Sequence, residues 1–133
     1  MSSTFETKTF SLTIKSDPKA VYEFVANPEN MPKWATAFCR SAKKEGSDWI
    51  ITTDMGPAKV KFVDKNEYGI LDHYVYPTPD LEVYVPMRVV PNKSGSEVLF
   101  TLFKLSFMND EKFRTDIGLV ERDLNTLKKV MES

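Results

Sequence analysis

Residues 109–131, NDEKFRTDIGLVERDLNTLKKVM, differ in periodicity from the strand-like segments that precede them. Their apolar side chains recur at spacings of four and three, so they fall on one stripe of a single long helix. Asn109 can cap this helix, and Asp110 and Glu111 complement the positive end of its dipole. The pattern predicts one amphipathic helix from Asp110 onward, with an apolar stripe of Phe113, Ile117, Val120, Leu124, Leu127 and Met131.

The segments before this helix have the features of β-strands. Residues 7–14 alternate apolar and polar side chains, which is the period-two pattern of a half-buried strand. Further short runs of strand-forming residues follow Trp34, and clusters rich in Gly, Pro, Asn and Asp separate them. Short connections favour an antiparallel meander. The later predicted strands are 37–45, 49–54, 58–64, 70–76, 83–90 and 97–105.

Two X-Pro pairs predict short helices between the first and second strands. Asp17 precedes Pro18, which suits an N-cap followed by proline at the first helical position. Asn27-Pro28 ends that helix, because proline disfavours the α conformation in the residue before it. The same pair can start a second short turn towards Trp34, with Asn27 as its cap.

The order of these elements predicts an α+β fold in which a curved antiparallel sheet wraps round the C-terminal helix. A chain of 133 residues with 41% hydrophobic content suits one domain spanning residues 1–133. Eighteen basic and nineteen acidic residues give a net charge of −1, so we expect no nucleic-acid partner. The N-terminus lacks the features of a signal peptide and no stretch is apolar enough for a membrane span, which favours a cytoplasmic location.

Cysteine and histidine are scarce, because the chain has one of each. Cys39 cannot form an internal disulfide, and one cysteine with one histidine is a poor ligand set for zinc. We therefore expect no metal and no cofactor. Cys39 lies in the predicted strand 37–45, where a thiol usually behaves as a small apolar side chain rather than a nucleophile.

The single histidine, His73, lies in the run 70–76, ILDHYVY. Side chains alternate along a strand, so Leu71, His73 and Val75 share one face while Asp72 points to the other. His73 is then the polar exception on an aliphatic wall. Three roles are open to it: a ring hydrogen-bonded within the core, a contact for a ligand, or a general base that burial keeps neutral.

Pairing with the next strand predicts that His73 lies opposite Met87 and Asp72 opposite Arg88. This register needs a connecting loop of about six residues around 77–82. It makes Asp72 and Arg88 an exposed ion pair on the outer face, where such a pair contributes about 0.2 to 1 kcal/mol. Strand 97–105 is apolar on both faces, so either face can point inward.

The run 16–34, SDPKAVYEFVANPENMPKW, resembles the opening of START-type helix-grip proteins, the SRPBCC group that includes polyketide cyclase/dehydrase-like domains. Residues 69–73, 85–88 and 123–128 agree with that resemblance. It implies a curved seven-stranded antiparallel sheet round the C-terminal helix, with two short helices closing one end of a cavity. Members bind lipids, polyketides or other hydrophobic molecules, and some cyclise polyketides. The cyclase candidates that the resemblance suggests here are His73, Tyr22 and Tyr68. Arg88 departs from the family pattern, because the predicted register points it outward.

Three functions are therefore hypotheses: binding of a small hydrophobic molecule between sheet and helix, a cyclase/dehydrase-like reaction with His73 as acid–base, and an interaction module. The last could be a homodimer that uses an outer patch of Tyr74, Tyr76, Tyr84 and Pro86. The predicted ligand-binding residues are His73, Met87, Val85, Leu71, Phe62, Trp49, Phe113 and Ile117, within a wider inner wall of Phe10, Leu12, Ile14, Ile51, Val60, Val75, Val83 and Val120.

Overall fold

The computed structural model describes residues 3–133 and contains eight strands, three α-helices and one 3₁₀ turn. Their order confirms the predicted sequence of one strand, short helices, further strands and a long final helix. The elements are β1 (Thr7–Ile14), α1 (Pro18–Ala26), the 3₁₀ turn (Pro28–Asn30), α2 (Met31–Trp34), β2 (Ser41–Glu45), β3 (Asp48–Thr53), β4 (Gly56–Phe62), β5 (His73–Thr78), β6 (Leu81–Val85), β7 (Met87–Asn92), β8 (Gly95–Phe103) and α3 (Asp110–Glu132).

The predicted helix caps are present. The Asp17 carboxylate accepts hydrogen bonds from two backbone N–H groups of α1, at 3.1 and 3.2 Å. Asn27 accepts one at 3.1 Å from the 3₁₀ turn, and Asn109 accepts one at 2.8 Å from the first turn of α3. These bonds satisfy N–H groups that have no partner within a helix, and so they fix where each helix begins. None of the described helices is both long and apolar enough to cross a membrane.

The strands form two antiparallel sheets, ordered β1-β8-β7 and β2-β3-β4-β5-β6. The prediction of one seven-stranded sheet was wrong, and Pro86 supplies the reason. The strand predicted at 83–90 divides into β6 and β7 at this residue, because proline has no N–H to donate to a ladder. The same alternate side chains point inward on both sides of the break, since Val85, Met87 and Val89 are all buried.

The two sheets meet at this break. Leu71 N–H donates to Met87 O at 2.8 Å, and Val89 N–H donates to Gly69 O at 2.9 Å, so the segment before β5 runs beside β7. An isolated bridge between Ile70 and Arg88 belongs to the same contact. The two sheets therefore act as one bent surface whose inner side faces α3.

The register between β5 and β6 differs from the prediction by two residues. His73 lies opposite Val85, not Met87, and Ile70 rather than Asp72 lies opposite Arg88. The connection is a tight turn of two residues between Thr78 and Leu81 instead of the expected loop of six. Because a shift of two residues preserves the alternation, the inward facing of His73 is correct.

The strand predicted at 37–45 is shorter than expected. Residues 35–39 form a turn in which Cys39 N–H donates to Ala35 O at 2.7 Å, and β2 begins only at Ser41. Cys39 therefore precedes the strand instead of lying in it, but its side chain is buried as predicted.

Candidate functional site

The interior of the molecule has two differently packed ends. Beneath α1, α2 and the second half of α3 the apolar side chains are almost completely buried, and we call this region the packed end. It includes Ile14, Val21, Val25, Met31, Trp34, Met87, Val98, Leu124 and Leu127.

A second set of inward apolar side chains, on β3, β4, β6, β8 and α3, is only partly buried where it packs against this core. We call this strip the inner groove. A compact core would cover such side chains, since burial of apolar surface contributes roughly 25 cal/mol per Å². These side chains therefore leave part of their apolar surface uncovered. Its residues are Trp49, Phe62, Val83, Phe100, Leu102, Ile117 and Val120.

His73 lies in the floor of the inner groove. Its ring stacks on Phe62 with ring centres 4.6 Å apart, and Phe100 contacts it edge-on at 6.5 Å. The side chain keeps only 5% of its exposure. Two groove residues thus hold the imidazole between them.

The hydrogen bonding of His73 defines its tautomer. Nδ1 lies 2.9 Å from the carbonyl oxygen of Leu71, and a carbonyl can only accept, so Nδ1 carries the proton. Burial lowers the pKa of His73 from 6.5 to about 4, while the Leu71 carbonyl and the charge of Asp72 act in the opposite direction. The ring is therefore neutral at pH 7, with a lone pair on Nε2.

The boundary between sheet and helix is open along β1. A depression of about 410 Å³ is lined by Lys8, Thr9, Phe10, Ser11 and Leu12 on one side and by Glu121, Leu124 and Asn125 on the other. Phe10 contacts Phe100 with ring centres 6.3 Å apart, and Phe100 contacts His73. Phe10 therefore lines the depression, and Phe100 separates it from His73. A second depression, of about 450 Å³, lies around residues 13–17 and 92–95, away from His73.

No protein-family model and no curated protein matches this sequence, but solved structures do. An uncharacterized protein from Bacillus thuringiensis matches with a TM-score of 0.76 at 14% identity, over 96% of this chain and 100% of that one. A START superfamily protein from Mycobacterium smegmatis gives 0.69 at 9% identity, over 95% and 97%. This chain has the START/SRPBCC helix-grip fold. The Aha1 dimer from Colwellia psychrerythraea matches at 0.73 and 13% identity, over 96% of each chain.

The helix-grip fold places the predicted ligand-binding residues in two groups. His73 lies beside Phe62, and Trp49 and Ile117 are partly buried against the same core. The others are buried: Leu71, Val85 and Met87 within the core, and Phe113 in the first turn of α3.

Phe100 and Leu102 are groove residues that the sequence analysis did not assign. Strand β8 is apolar on both faces, so alternation alone gives no inward side. Pairing with the neighbouring strands decides it: Phe100 lies opposite both Phe10 and Met87, which are buried. Reading the candidate partners of all three strands together could have found these residues.

Asp72 was predicted to be an exposed carboxylate on the outer face, but it is buried. Its Oδ1 accepts the N–H of Met87 at 2.9 Å, and Oδ2 accepts the hydroxyl of Tyr84 at 3.0 Å. Arg88 Nη2 lies 3.5 Å from Oδ2, so the predicted ion pair is present, although only Arg88 is exposed. Asp72 therefore fastens the sheet where Pro86 interrupts it.

A second buried carboxylate, Asp123, joins α3 to the turn before β2. It accepts the N–H of Ala37 at 2.8 Å. Burial raises the pKa of Asp123 from 3.8 to about 6, while hydrogen bonds from Ala37 and Phe38 and the charge of Arg122 oppose that shift. Burial likewise raises the pKa of the Cys39 thiol to about 11, which makes it a poor nucleophile. Within residues 3–133, no three His, Cys, Asp or Glu side chains are grouped to hold a metal ion.

The cyclase candidates other than His73 do not reach the inner groove floor. The Tyr22 hydroxyl accepts the N–H of Asn66 at 2.9 Å, and Tyr68 is exposed. Arg88 points outward to Asp72. The helix-grip fold therefore brings none of these three side chains to the imidazole.

The outer face carries an aromatic ladder, which we define as Tyr74, Tyr84, Phe103 and Phe5. Successive ring centres lie 5.3, 6.1 and 6.1 Å apart. Of the predicted patch, Tyr74 and Tyr84 belong to this ladder. The hydroxyl of Tyr76 instead donates a hydrogen bond to the carboxylate of Glu82. Phe5 is 49% exposed and Tyr84 is 39% exposed.

Proposed function

We propose that the protein binds a small, predominantly apolar molecule in the inner groove, with His73 as its polar contact. The observation that carries this proposal is the half-buried apolar strip around a buried, neutral imidazole. Ligand sites are generally apolar with a few placed polar groups, and this strip fits that description. The helix-grip resemblance supports the same function, because its members bind hydrophobic molecules.

The two tryptophans allow a direct test, since Trp49 lies in the groove and Trp34 lies in the packed end. In a Trp34→Phe background, the remaining indole reports on the groove alone. Titration with naphthalene derivatives and with medium-chain alcohols should shift its emission and saturate. The same compounds should protect the protein against thermal unfolding in proportion to ligand concentration.

A matched pair of variants ties that signal to the groove. Ile117→Gln adds a polar group to the strip and should weaken binding at least fivefold. Val90→Gln changes an exposed apolar residue on the opposite side of the sheet and should leave binding unchanged. Equal effects of both variants, or no saturable signal with any compound, would rule out the proposed site.

A cyclase/dehydrase-like reaction with His73 as acid–base is the enzymatic alternative. The free Nε2 favours it, but a pKa of about 4 makes His73 a weak base, and Asp72 bonds to Met87 instead of orienting the imidazole. If a His73→Ala variant still bound a substrate and converted it at the full rate, this reaction could not depend on the imidazole.

Self-association through the aromatic ladder is a further candidate. The ladder exposes stacked rings, and such patches often mark partner sites; the Aha1 neighbour from Colwellia psychrerythraea is itself a dimer. Sedimentation equilibrium should detect a dimer that Phe5→Ser weakens. Met55→Ser, at an equally apolar but fully separate exposed turn, is the matched control. A monomer at millimolar concentration would exclude this role.

A further inference from the structure

The hydrogen bonding of His73 limits which chemical groups of a ligand the imidazole can bind. We propose that its ligand is an uncharged molecule whose polar end is a hydrogen-bond donor, such as an alcohol or phenol, and that this donor bonds to His73 Nε2. The inference rests on the function proposed above and adds the chemical class of the ligand.

The first step is the direction of the bond at Nδ1. Because the Leu71 carbonyl only accepts, the proton on Nδ1 is committed to it, and Nε2 is left as an acceptor. A ring flip would exchange Nδ1 with Cδ2 and Nε2 with Cε1, so it would replace the hydrogen bond to Leu71 by a C–H group. The ring therefore presents one defined group, a lone pair.

The second step concerns access to that lone pair. Among the described residues, the bond to Leu71 is the one hydrogen bond that the imidazole makes. Trp34 Nε1 is the one buried side-chain nitrogen or oxygen in residues 3–133 that is sealed without a partner. Nε2 has no hydrogen-bond partner among the described residues and is not one of the sealed side-chain atoms there, while His73 as a whole keeps 5% exposure.

The third step is the charge of the ligand. A carboxylate has no proton to give to a lone pair, and the imidazole is neutral, so an anion at this point would gain nothing from it. Arg88 cannot compensate, because it points outward to Asp72. Lys8, opposite Leu102 at the groove edge, could hold an anion there, away from His73. A site built to accept a donor also discriminates strongly against analogues that lack one.

The test uses matched probes that differ at one group: 2-naphthol, 2-methoxynaphthalene and 2-naphthoate, with 1-decanol, decyl methyl ether and decanoate as an aliphatic set. Isothermal titration should give at least tenfold tighter binding for each hydroxyl compound than for its ether or its carboxylate. In ¹⁵N spectra of the histidine ring, the Nε2 resonance should move on addition of 2-naphthol and stay in place with the ether. His73→Phe keeps an aromatic ring on Phe62 and should abolish the advantage of the hydroxyl compound.

The possible outcomes separate the two proposals. If hydroxyl and ether compounds bind equally, the donor requirement is wrong while groove binding stands. If the carboxylates bind most tightly and Lys8→Ala removes that preference, the polar contact is at the rim and not at His73. If no compound of either set binds, the proposed function fails and the donor requirement fails with it. Should His73→Phe not fold, the probe comparison and the ¹⁵N shift on the wild-type protein still decide.

Discussion

Two buried residues, His73 and Asp123, change the dependence of stability on pH in opposite directions. Burial lowers the pKa of His73 to about 4, so the unfolded state takes up the proton first and stability falls as pH drops from 6.5 to 4. Burial raises the pKa of Asp123 to about 6, so the folded state takes up the proton first and stability rises as pH drops from 6 to 3.8. The two windows overlap, and the two contributions largely cancel.

Single variants should separate the two contributions to the pH dependence of the free energy of unfolding. Relative to the wild-type protein, His73→Phe should gain stability progressively as pH falls from 6.5 to 4, because the ionisable ring is gone. Asp123→Asn should gain relative stability as pH rises from 4 to 6, because its amide can still accept from Ala37 without a buried charge. Each change should be on the order of 2 kcal/mol, measured as the free energy of unfolding in urea at several pH values.

The difference between variant and wild type removes the contributions of other carboxylates, such as Asp110 and Glu132, whose pKa values are lowered by Lys104 and Lys128. The double variant should be nearly as flat between pH 4 and 6 as the wild-type protein. Slopes of the same sign in both single variants would contradict the assignment of burial as the dominant cause.

For individual residues, the sequence predicted correctly which side of the sheet a side chain points to, but it did not predict which carboxylates are buried. Alternation placed His73 inward and Asp72 on the opposite side, and both placements are correct. Neither Asp72 nor Asp123 was predicted as buried, because their burial depends on groups distant in sequence: the N–H of Met87 beyond Pro86, and the N–H of Ala37 in a turn.

Among the elements, the break between β6 and β7 depends on Asp72. Asp72→Ala leaves the buried N–H of Met87 without a partner, so the variant should lose about 2 to 3 kcal/mol of stability. Arg88→Ala removes only the exposed, 3.5 Å partner of the same carboxylate and should cost less than about 1 kcal/mol. Chemical denaturation of both variants measures the ratio, and equal losses would show that the ion pair, not the N–H bond, fastens the break.

Two glycines give opposite predictions for the same substitution. Gly69 has φ of +74°, and a Cβ there would lie 2.1 Å from the carbonyl oxygen of Val89, so Gly69→Ala should be severely destabilising. Gly118 lies in α3 with open space around it, so Gly118→Ala should stabilise by up to about 1 kcal/mol. Thermal unfolding of the two variants tests whether the first substitution lowers stability and the second raises it. A stable Gly69→Ala protein would mean that the contact between Gly69 and Val89 is not required.

Element order and caps were predictable because they depend on local residues: Asp17, Asn27 and Asn109 each act within three positions. The register of β5 with β6 was not, because the loop length cannot be read from the residues that surround it. The turn closes between Thr78 and Leu81, whereas the predicted register needed a loop of about six residues around 77–82. The facing of Phe100 and Leu102 shares this limit, since it depends on how the three strands β1, β8 and β7 pair.

Across the whole molecule, stability and binding capacity occupy different ends of one interior. The packed end holds the fully buried side chains of α1, α2 and the second half of α3. The inner groove holds the partly buried side chains beside His73, together with Ile117 and Val120 of α3. A single helix, α3, thus serves as a core element with Leu124 and Leu127 and as a groove wall with Ile117 and Val120.

This division predicts that equivalent truncations along α3 have separable effects. Leu127→Ala opens a cavity in the packed end and should lower the free energy of unfolding by about 2 to 5 kcal/mol, with affinity for 2-naphthol unchanged in the folded protein. Ile117→Ala removes half-exposed surface, so it should cost about 1 kcal/mol or less, yet weaken 2-naphthol binding several-fold. Urea denaturation and titration calorimetry on both variants measure the four values. The opposite outcome is that Ile117→Ala proves as destabilising as Leu127→Ala while binding stays intact. The apolar side chains of the groove would then contribute to folding rather than to recognition, and the groove would be a less well covered part of the core.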